Sequence, residues 1–232
     1  ILYMEQIDAG TFGINPDKYP EYESMIQAAM KCARDAADSA EKQVYTALDI
    51  GPTGRLTEPL GDLRFEEAVS LFSRTIRAGV KYGADLILIE TMNDCLETKA
   101  AVIAAKECCD LPIFVTNAYD ACGKLMTGAD PKTMVAMLES LGVDAVGMNC
   151  SFGPDIMLKM APEFAGMSEI PLIANPNAGL PKVSDGKTVY DVGADEFAQY
   201  MVGLAKEGFT ILGGCCGTTP EYIKKTVSAI SE

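Results

Sequence analysis

Phe209-Thr210-Ile211-Leu212-Gly213-Gly214-Cys215-Cys216-Gly217-Thr218-Thr219-Pro220 carries the reading of the fold. A short aliphatic and β-branched run gives way to glycines, and then to a threonine placed to cap a helix whose first position is proline. That order is strand, loop, helix. The same order stands upstream in Val143-Asp144-Ala145-Val146-Gly147-Met148-Asn149-Cys150-Ser151, which is followed by helical periodicity from residue 154. Working outward, strand-like runs cover 44–50, 85–90, 112–117, 143–150, 171–175 and 209–214, with a weaker one before Thr11. Helical patterns lie between and after them near 21–40, 65–82, 96–108, 131–142, 154–165, 194–207 and 220–231. The first of these places Tyr22, Met25, Ile26, Ala29 and Ala33 on one apolar face. Asp130-Pro131 opens another helix as Thr219-Pro220 opens the last.

Alternating strands and helices predict parallel strands covered by crossover helices. Seven such units are one short of a closed (β/α)8 TIM barrel, whose usual length is about 250 residues. The 232 residues therefore read as an α/β barrel lacking its first strand-helix unit, since nothing before residue 10 supplies a complete one. An open doubly wound sheet is the alternative, and the absence of a dinucleotide-type glycine fingerprint counts against it. No break in composition divides the chain, so residues 1–232 read as one N-terminally incomplete domain.

Lys plus Arg number 19 against 33 Asp plus Glu, a net charge of −14. A surface of that sign repels phosphate backbones and anionic lipid, which excludes nucleic acid as the expected partner. No apolar run approaches the ~20 residues that span a bilayer. Eight cysteines are spread irregularly through a chain too large to need disulfide staples, which favours reduced thiols and a cytoplasmic location. Histidine is absent. Any metal site must therefore rest on thiolates or carboxylates.

Active sites of such barrels form at the C-terminal ends of the strands. Three cysteines fall there: Cys150 at the end of one strand run, and Cys215 and Cys216 after the last. Three thiolates with one open position suit a catalytic tetrahedral zinc site, and a soft sulfur set selects zinc over magnesium or calcium. Gly213, Gly214 and Gly217 would relieve crowding where the backbone aims two adjacent cysteines at one point, and the helix from Pro220 would favour thiolate there. Cys32, Cys95, Cys108, Cys109 and Cys122 read as small buried hydrophobes. Glu90 ends another strand run, where it could hold an ammonium group or form a surface ion pair. Asn117, Asn149, Asn175 and Asn177 offer neutral polar groups at neighbouring strand ends. Gly213-Gly214 also admits a phosphate-binding loop, as in barrel aldolases and isomerases. Paired thiolates would repel that anion, and no lysine stands at the strand ends.

These residues resemble the homocysteine S-methyltransferase family. The likeness runs through Thr11-Phe12-Gly13, Asp49-Ile50-Gly51-Pro52-Thr53-Gly54, Ile89-Glu90-Thr91, Gly147-Met148-Asn149-Cys150-Ser151, Pro176-Asn177-Ala178-Gly179 and Gly213 to Pro220. It is greatest to the homocysteine-binding domain of the cobalamin-dependent members. The resemblance implies zinc on Cys150, Cys215 and Cys216, with the homocysteine sulfur as fourth ligand and Asn177 in that position when substrate is absent. It implies that Glu90 binds the substrate's amino group; Asn149, at a neighbouring strand end, is read as a second substrate-binding residue. Methylcobalamin, S-methylmethionine and betaine all remain open as methyl donors, and the motifs lean towards methylcobalamin on another domain or a corrinoid protein. The sequence departs from the family at its start, where the first strand and its substrate-holding loop have no counterpart. That leaves a catalytically incompetent zinc-binding fragment as a competing expectation.

Overall fold

The computed structural model describes residues 21–184 and 186–231. The weaker strand expected before Thr11 and the Thr11-Phe12-Gly13 motif lie outside these residues. Among those described, all seven expected helices and the other six expected strands are present: α1 (Tyr22–Asp38), β1 (Ala47–Ile50), α2 (Phe65–Lys81), β2 (Leu86–Met92), α3 (Cys95–Cys108), β3 (Ile113–Asn117), α4 (Pro131–Ser140), β4 (Ala145–Asn149), α5 (Pro154–Ala165), β5 (Leu172–Asn175), α6 (Ala194–Lys206), β8 (Phe209–Leu212) and α7 (Pro220–Ser231). Two short strands that the sequence did not announce, β6 (Pro181–Ser184) and β7 (Lys187–Tyr190), form an antiparallel hairpin between β5 and α6. No helix among the described residues is long and apolar enough to cross a membrane.

The chain divides into two compact units, one running to Val115 and including Leu141–Asp144, the other comprising Thr116–Ser140 and the chain from Ala145. In the first unit β1 pairs in parallel with β2, from Ala47 beside Leu86 to Ile50 beside Ile89. The Ile87 amide donates to the carbonyl of Pro112, where β3 begins. The side chains of Ile87 and Ile89 are fully buried. Asp94 caps α3 by accepting from the amides of Leu96 and Glu97, and its other oxygen accepts from the Thr57 hydroxyl at 2.6 Å. One buried carboxylate thus starts a helix and holds a loop.

The apolar face of α1 differs from the one expected. Tyr22, Ile26, Met30, Ala33 and Ala37 are buried, whereas Met25 is 38% exposed and Ala29 only partly covered. The stripe follows i, i+4, i+8, i+11 and i+15, positions that fall within about 80° of one another on the same side of Tyr22, whereas Met25, at i+3, lies about 60° to the other side. Replacing Met30 by alanine is accordingly expected to cost about 2–5 kcal/mol in urea unfolding. The same change at Met25 should fall within roughly 0.5 kcal/mol of the parent.

In the second unit β4 pairs in parallel with β5, and β5 with β8. Every residue of β4 is buried, the continuous apolar run of a strand covered on both faces. Tyr119, Phe164 and Phe209 meet edge to face at 5.8 and 6.1 Å between ring centres and fill the space beside these strands. The expected cap of α4 is present: Asp130 accepts from the Thr133 amide and hydroxyl. What the second unit delivers to chemistry is a row of strand ends, at Asn149, Asn175 and Leu212, from which the polar loops depart.

Candidate metal centre

Beyond β4 the ladder continues for one residue, because the Cys150 amide donates to the Asn175 carbonyl at 3.0 Å. The backbone then turns sharply. Cys150 and Ser151 both adopt the left-handed conformation, with φ 57° each. For residues with a Cβ this costs of order 1 kcal/mol apiece and persists where the surrounding structure enforces it. The turn brings the Cys150 sulfur 3.8 Å from that of Cys216.

The loop after β8 is clipped to the loop after β5 almost residue by residue. The amide of Gly213 donates to Ala174, and that of Cys215 to Pro176, at 3.1 and 2.8 Å. Next, the Cys216 amide donates to the Asn177 side-chain oxygen at 3.0 Å, and the Cys216 carbonyl accepts from the Ala178 amide at 2.9 Å. The Cys215 carbonyl receives both the amide and the hydroxyl of Thr218, which turns the chain towards α7. Gly217 sits at φ 81° and carries no Cβ where one would strike the ring of Tyr190.

As a result the sulfurs of Cys150, Cys215 and Cys216 all lie within 4.8 Å of one another. Among the described residues this is the one group of three or more cysteine or acidic side chains so disposed to hold a metal. Cys215 is buried, Cys150 half-buried and Cys216 exposed. Asn149, 1% exposed, stands behind the cluster: its oxygen accepts from the Thr116 hydroxyl at 2.8 Å, and its amide nitrogen lies 4.0 Å from the Cys215 sulfur. The three sulfurs share their protons unevenly. Hydrogen bonds donated by Cys150 and Cys215 lower Cys216 to about 3, and the Tyr190 hydroxyl adds to the effect. Cys215 is pushed up by its bonds to Cys150 and Cys216 and by burial. Cys150 is raised as well; Cys215 opposes that rise, and Cys216 and burial drive it. Three converging soft donors of this kind suit a thiophilic cation.

The structure brings together Cys150, Cys215, Cys216, Asn149 and Asn177. Asn175 is close by, in register with Asn149. Glu90 lies in the first unit, half-buried near the end of β2, and is followed by Thr91 at φ 60°. The remaining cysteines are not part of this group, and none is the buried hydrophobe expected: Cys32 and Cys122 are exposed, and Cys95, Cys108 and Cys109 half-buried, with the thiols of Cys108 and Cys109 donating to the carbonyls of Ser73 and Ala105. Tyr190 was missed. Its signal was present in the sequence as Asp185-Gly186, a dipeptide typical of tight hairpins, between two short runs containing Val183 and Val189.

Parallel strands alternating with helices, and a thiol triad at the strand ends, define a metal-competent protein of the (β/α) barrel class. The sequence profile of the homocysteine S-methyltransferase family matches residues 5–230, and the chain belongs to that family. Methionine synthase from Mycobacterium leprae is 29% identical over 97% of this chain, and that from Mycobacterium tuberculosis is 29% identical over 98%. The chain spans 20% of the length of each. Among solved structures, the metallated form of the homocysteine methyltransferase MmuM from Escherichia coli superposes with a TM-score of 0.78 at 20% identity, covering 97% of this chain and 78% of that one. The apo form gives 0.74 at 22% identity, over 90% and 74%. That likeness bears out the expected fold class.

Proposed function

We propose that residues 1–232 act as a homocysteine-binding domain that prepares the substrate thiol for methylation to methionine, with zinc held by Cys150, Cys215 and Cys216. The observation that carries this reading is the convergence of three sulfurs within 4.8 Å. Sulfurs about 2.3 Å from one tetrahedral zinc stand about 3.8 Å apart, and Cys150 and Cys216 already stand at 3.8 Å. With no histidine in the chain, and a soft sulfur set at this point, thiolate ligation is the chemistry that suits such an ion. Bound there, zinc would favour the thiolate form of a fourth, substrate sulfur and so make it nucleophilic at neutral pH.

The chain's own groups have separate tasks in this reading. Asn177 holds the Cys216 amide with one lone pair of its oxygen and has a second to offer the open side of the cluster before substrate arrives. Asn149, expected beside the substrate, becomes a residue that orders Cys215, because Thr116 and Cys215 engage the two ends of its amide. Glu90 is assigned the substrate ammonium group. We take the methyl donor to be methylcobalamin on another domain or a corrinoid protein, as the motif resemblance implies. Reduced thiols are required throughout, which fits the cytoplasm.

Proton release tests the proposal. A free thiol has a pKa near 8.5 and is mostly protonated at pH 7, so homocysteine binding to the zinc-loaded chain is expected to release about one proton, measured by calorimetry in buffers of different ionisation enthalpy. Homoserine, which lacks the sulfur, should release none. Equal behaviour of the two would sink the reading. Proton release without formation of methionine from added methylcobalamin would instead identify a zinc-holding fragment without turnover.

A further inference from the structure

The β6–β7 hairpin has almost no buried side chains of its own: Val183 is 82% exposed, and only Tyr190 at its end is partly covered. A lone two-stranded hairpin is marginal in water, so what fixes this one lies at its base. There the Val192 amide donates to the Ala178 carbonyl at 3.0 Å, while the amide of the same Ala178 donates to the Cys216 carbonyl at 2.9 Å. Asp191 accepts from the Leu180 amide and pairs with Lys182 at 2.8 Å. The hairpin and the loop bearing Cys216 therefore share one residue as their hinge post.

Tyr190 closes the arrangement. A Cβ on Gly217 would stand 2.3 Å from Cδ2 and 2.4 Å from Cγ of the Tyr190 ring, so the ring lies directly against the backbone that follows Cys216. From that position, beside the residue that follows Cys216, its hydroxyl interacts with the Cys216 sulfur. Cys216 is the exposed member of the triad. A side chain in that situation has little packing to hold its rotamer.

We propose that Tyr190 is a positioning residue of the metal centre, its ring seated on Gly217 and its hydroxyl holding the Cys216 sulfur where it completes the ligand set. The proposal rests on the three-cysteine reading given above. Outer hydrogen bonds of this kind orient a ligand and stabilise the charged site, and their loss typically costs 10–100-fold in metal affinity.

The test is cobalt substitution of the parent and of Tyr190→Phe, with zinc affinity measured by chelator competition. Tyr190→Phe keeps the ring and loses the donor. Expected are a zinc affinity weaker by about tenfold, a sulfur-to-cobalt charge-transfer band moved to longer wavelength, and an unchanged melting temperature of the metal-free chain. The band should move because a thiolate without its hydrogen bond gives up an electron more easily. Gly217→Ala, which displaces the ring and leaves the phenol intact, should move the band in the same direction. A band and an affinity unchanged in Tyr190→Phe overturn the proposal. A parent chain that binds no cobalt overturns the three-cysteine reading and this proposal together.

Discussion

A chain carrying Cys150→Gly is expected to bind no stoichiometric zinc and yet to unfold no earlier than the parent when both are metal-free. The two halves of this result have different causes. Cys150 supplies one of three converging sulfurs, and a two-sulfur remnant cannot hold the ion against a competing chelator. Its backbone, however, is left-handed at φ 57°, a conformation that costs an L residue roughly 1–2 kcal/mol and glycine almost nothing. Cys150 is only half-buried, so little packing is lost in exchange. Urea unfolding with chelator and reductant present should therefore place the variant's midpoint at or above the parent's. Zinc in thousandfold excess over its dissociation constant should raise the parent by about 4 kcal/mol and leave the variant where it was. Metal content per chain gives the decisive reading: one equivalent retained by the variant would remove Cys150 from the ligand set. Cys122→Ser, at an exposed cysteine apart from the cluster, serves as the control and should keep its zinc.

That backbone conformation is what the sequence could not announce. Cys150 was legible as a strand-end thiol because it follows an unbroken apolar run, and Cys215 and Cys216 because glycines and a proline-opened helix bracket them. The left-handed pair Cys150-Ser151 carries no glycine or asparagine to betray it. The alternation of strands and helices was readable throughout because burial on both faces demands aliphatic strands such as β4. The hairpin escaped for the opposite reason. Its residues are exposed, so hydrophobic periodicity has nothing to report, and only its turn dipeptide spoke for it. With the hairpin went Tyr190, whose role depends on a ring packing against Gly217 in a loop 27 residues away. Met25 and Met30 show a smaller limit: both fit helical spacing from Tyr22 and Ile26, and the packed partner alone chooses between them.

Gly147→Ala is expected to be the most damaging single methyl group that can be added to the second unit. Gly147 lies in β4 in register with Ile173 of β5. A Cβ there would stand 1.9 Å from the Ile173 carbonyl oxygen and 2.7 Å from its carbon. These are backbone atoms, which no change of rotamer can move aside. Hydrogen bonds on both sides hold the two strands together, from Val146 to Pro171 at 3.1 Å and from Cys150 to Asn175 at 3.0 Å. Ordinary overpacking costs about 1–3 kcal/mol. A clash with fixed backbone inside a paired sheet should exceed that range and consume much of the ~5–15 kcal/mol by which a domain is stable. Gly193→Ala, where nothing lies within 4 Å of the added carbon, should cost no more than about 1 kcal/mol, the loss of a glycine at the N-cap of α6. The consequence reaches the metal centre, because β4 leads directly into Cys150 while the loop after β5 holds Cys215 and Cys216 by their amides. Parting the strands separates the sulfurs, so zinc content and urea midpoint should fall together. A Gly147→Ala chain that folds with the parent's stability and zinc affinity would mean that the β4–β5 contact does not set the distance between the thiols.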